Sequence, residues 1–244
     1  MFRRRRIDEA EGPAAGPDLG IDATTPDPPE GAIADPSAVA TTGEPVASPQ
    51  GPWDLDGLPE DDSRERLDFG GLRIFVPEDT DLRVDFGAEG EIVALTLAHP
   101  SPSGEPEQMQ LSAFAAPRTS GIWAEVRAEI AEGVATSGGR IESAEGIWGP
   151  ELRARLVTDQ PGVLAPARFL GIDGPRWFLR ALVTGPSAAD GVDHPVLTEA
   201  LRAVVVVRGK EAMAPRDALP LSPPSELQEQ MMHAVDQAQA QAED

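Results

Sequence analysis

The chain has 244 residues, with 20 Lys and Arg against 42 Asp and Glu, giving a formal net charge of -22. That balance disfavours duplex nucleic acid and anionic membrane as whole-surface partners, since both call for positive potential on the protein. Cysteine is absent, which excludes disulfides, a thiolate nucleophile and cysteine-ligated metals or clusters. Lys210 is the one lysine, and Arg supplies the remaining basic residues. With abundant Ala, Gly and Pro, that bias fits a GC-rich genome. No apolar run approaches the ~20 residues that span a bilayer. The opening MFRRRRIDEAEG has basic residues but no apolar stretch behind them, so it reads as neither a signal peptide nor a twin-arginine signal. The expectation is a cytoplasmic protein.

Residues 1–62 carry four basic and fourteen acidic side chains and almost no large apolar ones. Such a stretch cannot bury enough apolar surface to offset chain entropy, and it predicts a disordered acidic arm. Within it, Trp53, Leu55 and Leu58 alternate with acidic residues, either as a short docking motif for a protein partner or as an edge cap on the domain that follows. Arg3 to Arg6 form a small basic arm, a candidate contact for nucleic acid that the acidic segment behind it opposes.

Residues 63–210 read as a single domain. Leu72–Val76, Leu82–Phe86, Glu91–His99 and Glu107–Ala116 are strands, separated by Gly- and Pro-rich turns. The period then changes to helical. Ile122, Trp123, Val126, Ile130 and Val134 share one face over about 120–136, with Thr119 or Ser120 as cap and Gly138-Gly139 as terminator. Four strands follow: Arg140–Trp148, Glu151–Thr158, Ala165–Ile172 and Arg176–Thr184. The first two are joined at Gly149-Pro150. The second two form a hairpin turning at Asp173-Gly174, a dipeptide suited to a type I′ turn. One face of that hairpin carries Leu170, Ile172, Trp177, Leu179, Ala181 and Val183, with Arg168 as its only charge. The other carries Ala165, Ala167, Phe169, Phe178 and Leu182 with Arg176 and Arg180. A loop over 185–193, a short helix over 195–202 and a last strand at Val204–Val207 complete the domain. The expected class is α+β: a mostly antiparallel sheet of eight or nine strands with one long covering helix and one short helix.

Residues 211–244 form a linker and a C-terminal amphipathic helix. Ser225-x-x-Gln228 reads as a capping box, and Leu227, Met231, Ala234, Val235 and Ala238 make an apolar stripe that docks on the domain or on a protein partner.

Motifs for a Walker loop, a dinucleotide fingerprint, a nucleophile elbow and a zinc protease helix are missing, and no cofactor or metal site is expected. Asp190, Asp193 and His194 are the best local metal cluster, but Asp193 serves equally as a helix cap. Glu78-Asp79-Thr80-Asp81 lacks the spacing of a calcium loop. The arginines offer more. Arg153 and Arg155 share a strand face, as do Arg176 and Arg180. If those strands are neighbours, four guanidinium groups line one side of the sheet as a groove for a small anion. Internal pairing with Glu125, Glu129 or Glu132 is the alternative. The expected function is a non-catalytic protein-interaction or assembly module. The second hypothesis is a small-anion-binding or hydrolytic protein using the four arginines.

GPWDLD (Gly51–Asp56), LDFGGLRIFVPE (Leu67–Glu78), GIWAEVRAEI (Gly121–Ile130) and GPRWFLRALVTGPSA (Gly174–Ala188) together resemble an actinobacterial family, domain of unknown function 3710, over about residues 50–225. The resemblance implies a cytoplasmic actinobacterial protein and assigns no catalytic or binding residue. The order of strands, long helix, strands, short helix and last strand is similar, more distantly, to the Mog1/PsbP-like α+β fold, many of whose members are binding or assembly factors.

Overall fold

A computed structural model describes residues 51–118 and 121–224. In chain order its strands are β1 (Trp53–Asp54), β2 (Leu67–Asp68), β3 (Leu72–Ile74), β4 (Asp81–Phe86), β5 (Ile92–His99), β6 (Glu107–Ala115), β7 (Arg140–Gly146), β8 (Gly149–Val157), β9 (Leu164–Gly174), β10 (Trp177–Thr184) and β11 (Val205–Val206). The helices are α1 (Trp123–Thr136), α2 (Pro186–Asp190) and α3 (Pro195–Ala203). The arm ahead of residue 51, Thr119 and Ser120, and the helix expected from 225 onward with Leu227 and Met231 lie outside the described residues, as does Arg3 to Arg6.

Two sheets form where one of eight or nine strands was expected. Seven antiparallel strands make the larger, in the order β4-β5-β6-β10-β9-β8-β7. The smaller runs β1-β11-β3-β2. The run of valines expected to end the main sheet instead supplies β11 to the smaller one, between β1 and β3. Pairing also reaches beyond 63–210. Trp53 is in register with Val205, Leu221 bridges Gly70 and Ile92, and Ala218 bridges Phe114.

Side-chain alternation along the strands gives the large sheet two apolar faces. The first, with Leu95, Leu97, Leu111, Leu170, Trp177 and Leu179, packs against α3 and the smaller sheet. The second, with Leu152, Ala154, Ala167, Phe169 and Phe178, packs against α1. Trp123, Val126, Ile130 and Val134 of α1 are all buried, as the helical period requires of a covering helix. Both faces expected for the β9–β10 hairpin are present.

Its turn is elsewhere. Gly174 pairs with Trp177, so the loop is Pro175-Arg176 rather than Asp173-Gly174. Proline presets the first loop residue, and Arg176 takes the positive φ of 66° that the second requires. The partner of Trp177 thereby moves from Leu170 to Gly174, an even shift that leaves every side chain on its expected face. Gly174 is needed where it stands, because a Cβ there would meet the Trp177 indole at 2.1 Å. Similarly, β7 and β8 turn at Ile147-Trp148, with Gly146 opposite Gly149, not at Gly149-Pro150. Part of the stretch read as a loop over 185–193 is helical as α2.

Candidate functional site

The β7–β8 hairpin carries the site. Arg140 stands directly opposite Arg155, and Glu142 opposite Arg153. Directly opposed residues share a face, so these four project together. The next strand adds Arg168, opposite Arg153. This is the first face of the sheet, at its edge, beyond the apolar core.

Arg153 and Arg168 are like charges side by side, and Glu151 resolves their conflict. Its Oε1 accepts from Arg153 Nε at 3.0 Å and from Arg168 Nε at 3.2 Å, while Oε2 accepts from Arg168 Nη2 at 2.6 Å. Arg168 also donates to Asp193 Oδ1 at 2.9 Å and to the Val192 carbonyl. Arg168 and Glu151 are both buried. Burial alone favours loss of the Arg168 proton, but Glu151 and Asp193 hold the charge, and its pKa lies above the ordinary value. The only charge on the apolar hairpin face is thus a staple that ties the 191–194 segment to the sheet.

Arg153, oriented by Glu151, packs its guanidinium against Gly191, where a Cβ would meet Nη1 at 2.8 Å. Between α2 and the hairpin lies a groove of about 290 Å³ lined by Arg140, Glu142, Arg153, Arg155, Asp190 and Gly191. The side chains of Arg140 and Arg155 make no hydrogen bond or ion pair among the described residues. Glu142 has no ion-pair partner there either, since the arginine facing it turns to Glu151.

The four arginines singled out from sequence are not brought together. Arg153 and Arg155 line the groove. Register carries Arg153 through Arg168 to Val183, whereas Arg180 aligns with Gly171 and Ser112, on the opposite face. There Arg180 stacks over Phe114 at 5.6 Å, and Arg176 sits in the turn. Glu125 and Glu129 of α1 pair with Arg216 instead, at 3.0 and 2.7 Å. Arg140 was the missing member. Its place opposite Arg155 follows once the β7–β8 turn is set at Ile147-Trp148.

The 53–58 segment is built into the fold. Asp54 Oδ2 accepts from the buried Trp177 Nε1 at 2.8 Å, and Trp53 pairs in the smaller sheet. Leu58 is half-buried, which leaves Leu55 as the exposed apolar member.

His99 and His194 meet ring to ring at 5.3 Å. His99 Nδ1 lies 3.0 Å from Thr80 Oγ1, and His194 Nδ1 is buried with no hydrogen-bond partner among the described residues. Burial lowers the His194 pKa, Glu107 opposes that shift and His99 adds to it. Glu107, itself buried, accepts from Ser187 Oγ at 2.6 Å and from Ser187 N at 2.9 Å. This carboxylate secures the start of α2. Among the described residues, no three His, Asp or Glu side chains gather to hold a metal, and no helix is long and apolar enough to cross a membrane.

Residues 51–230 match a family model described as "Protein of unknown function (DUF3710)". No curated protein matches the chain. A solved structure from Bacteroides thetaiotaomicron VPI-5482 is similar at 13% identity and a TM-score of 0.37, covering 62% of this chain. The chain spans 51% of that protein's length.

Proposed function

We propose that this chain, which belongs to the DUF3710 family, is a non-catalytic binding module for a small oxyanion held between β7, β8 and α2. One observation carries the proposal: Arg140 and Arg155 are cross-strand partners, and among the described residues neither side chain has an acidic partner. Like charges directly opposed on a ladder destabilise it. An oxyanion bridging the two guanidinium groups turns that cost into two charge-assisted contacts. Arg153, fixed by Glu151, adds a third donor whose orientation costs little further entropy on binding.

We also read the chain as cytoplasmic and of actinobacterial origin. The predominance of Arg over Lys and the content of Ala, Gly and Pro support the second. The succession of strands, long helix, strands and short helix supports the distant likeness to the Mog1/PsbP-like pattern, which does not fix function.

The test is calorimetric titration of the full chain with inorganic pyrophosphate at constant ionic strength. Saturable binding of one pyrophosphate per chain, lost in Arg155→Gln and in Arg140→Gln but kept in Arg180→Gln, is the expected result. No binding, or equal binding by all variants, overturns the proposal.

A further inference from the structure

The groove has two ends of opposite character. At one, Arg140 and Arg155 face each other with no acidic partner among the described residues. One strand step of two residues away, a distance of about 6.6 Å, Glu142 faces Arg153 across the same ladder. Asp190, the last residue of α2, lines the groove as well. Glu142 and Asp190 have no ion-pair partner among the described residues, because Arg153 is engaged by Glu151. Both are exposed acceptors on the groove wall. A ligand made only of anionic groups satisfies the arginine end and is repelled at the other.

Resting on the oxyanion reading above, we infer that the ligand is bifunctional: a small phosphomonoester that carries a hydroxyl or ammonium donor a short carbon bridge from its phosphate. The phosphate takes the Arg140–Arg155 end, where planar guanidinium groups match its oxygens. The donor takes Glu142 and Asp190, whose carboxylates accept only. At about 290 Å³ the groove is at the small limit of ligand sites, which suits such a molecule and excludes a dinucleotide. Discrimination comes from the acidic end, since a site built to accept a ligand donor rejects the analogue that lacks it.

The experiment titrates the full chain with ethyl phosphate, phosphoethanolamine and glycerol 3-phosphate. Ethyl phosphate has the bridge without the donor, phosphoethanolamine adds an ammonium and glycerol 3-phosphate adds hydroxyls. The expected result is that at least one donor-bearing ester binds about tenfold tighter than ethyl phosphate. That preference falls to about one in Glu142→Gln/Asp190→Asn, while ethyl phosphate binds that variant no more weakly than it binds the native chain. The preferred donor distinguishes ammonium from hydroxyl ligands. Equal binding of all three esters overturns this inference and leaves the oxyanion site standing. A preference that survives in the double variant also overturns it. If neither the esters nor pyrophosphate bind, both fall together.

Discussion

The carboxylate of Asp173 caps a helix fifty-one residues upstream: its Oδ1 accepts from the backbone N–H of Ile122 at 2.8 Å. The Trp123 N–H lies 3.3 Å from both of its oxygens. Asp173 thus stands where Thr119 or Ser120 was expected to act, and it joins the end of β9 to the start of α1. Gly121 permits the approach, since a Cβ there would lie 2.1 Å from Asp173 Oδ2. Replacing a side-chain cap by Ala costs about 0.5–2 kcal/mol, so Asp173→Ala is expected to lower stability in that range in urea denaturation. Asn behaves differently. Burial raises the Asp173 pKa, and the two backbone bonds only partly oppose it. The folded state therefore holds the proton more tightly than the unfolded one. The resulting stabilisation is complete below the ordinary value of 3.8 and is lost as pH rises through the folded pKa. Asp173→Asn keeps an acceptor without a charge. It is expected to match or exceed the native protein at pH 7 and to flatten the profile above pH 3.8. A loss as large as that of Asp173→Ala shows that the charge itself is required.

That long-range cap also explains what the sequence reading reached and what it missed. Which residues share a face was legible from period-two alternation alone, and it survived a displaced turn because the shift was even. The turn itself was not legible. Asp-Gly is the better local candidate, but Asp173 is committed to α1 and Gly174 lies beneath Trp177, and neither fact is local. The groove was half legible for a related reason. Arg153 and Arg155 are two apart on one strand, which puts them together. Whether Arg176 and Arg180 join them depends on registers carried through β9, and those are set by the Pro175-Arg176 turn and the 158–163 connection.

His194 makes stability fall in mild acid. Its lowered pKa means that the unfolded chain takes up a proton at a pH where the folded one does not. The associated stability is present above the unfolded value of 6.5 and is lost as pH falls from there through the folded pKa. The groups facing it, Glu107 and His99, act in opposite directions. Thermal melts of the native chain and His194→Gln between pH 7.5 and 5.5 check the point. The native Tm is expected to fall more steeply than that of the variant, and parallel curves refute the assignment.

The Trp177–Asp54 bond makes residues 51–62 part of the domain's stability. Without them Trp177 Nε1 loses its acceptor, and Val205 loses its pairing with Trp53. An unsatisfied buried donor costs about 1–3 kcal/mol. A chain starting at residue 63 is expected to be less stable than one starting at 51 by at least that amount in urea denaturation. Asp54→Ala in the full chain isolates the bond from the strand and is expected to reproduce part of the loss. Equal stability of the two lengths denies β1 any structural role.

The Glu151–Arg168 pair is the sharpest test of how the 191–194 segment is held. Both side chains are almost wholly buried, so removing either partner leaves the other under-compensated, Arg168 with Asp193 alone and Glu151 with Arg153 alone. Breaking a buried pair in this way costs roughly 3–5 kcal/mol. Glu151→Gln and Arg168→Met are each expected to destabilise the chain by up to that much, the remaining Asp193 and Arg153 contacts offsetting part of the cost. Arg168→Met also frees Val192 and Asp193, so hydrogen exchange should rise in 190–195 beyond what global unfolding accounts for. The double replacement Glu151→Leu/Arg168→Met removes both charges of this buried pair, so their desolvation no longer opposes folding. It is expected to be far less destabilised than the sum of the single variants, with a coupling of a few kcal/mol in a double-mutant cycle. Additive effects indicate that each charge is satisfied independently of the other. Arg153 distinguishes stability from binding in the same experiment. Without Glu151 it loses the carboxylate that aims it into the groove, so a double variant that regains stability is still expected to bind pyrophosphate more weakly than the native chain.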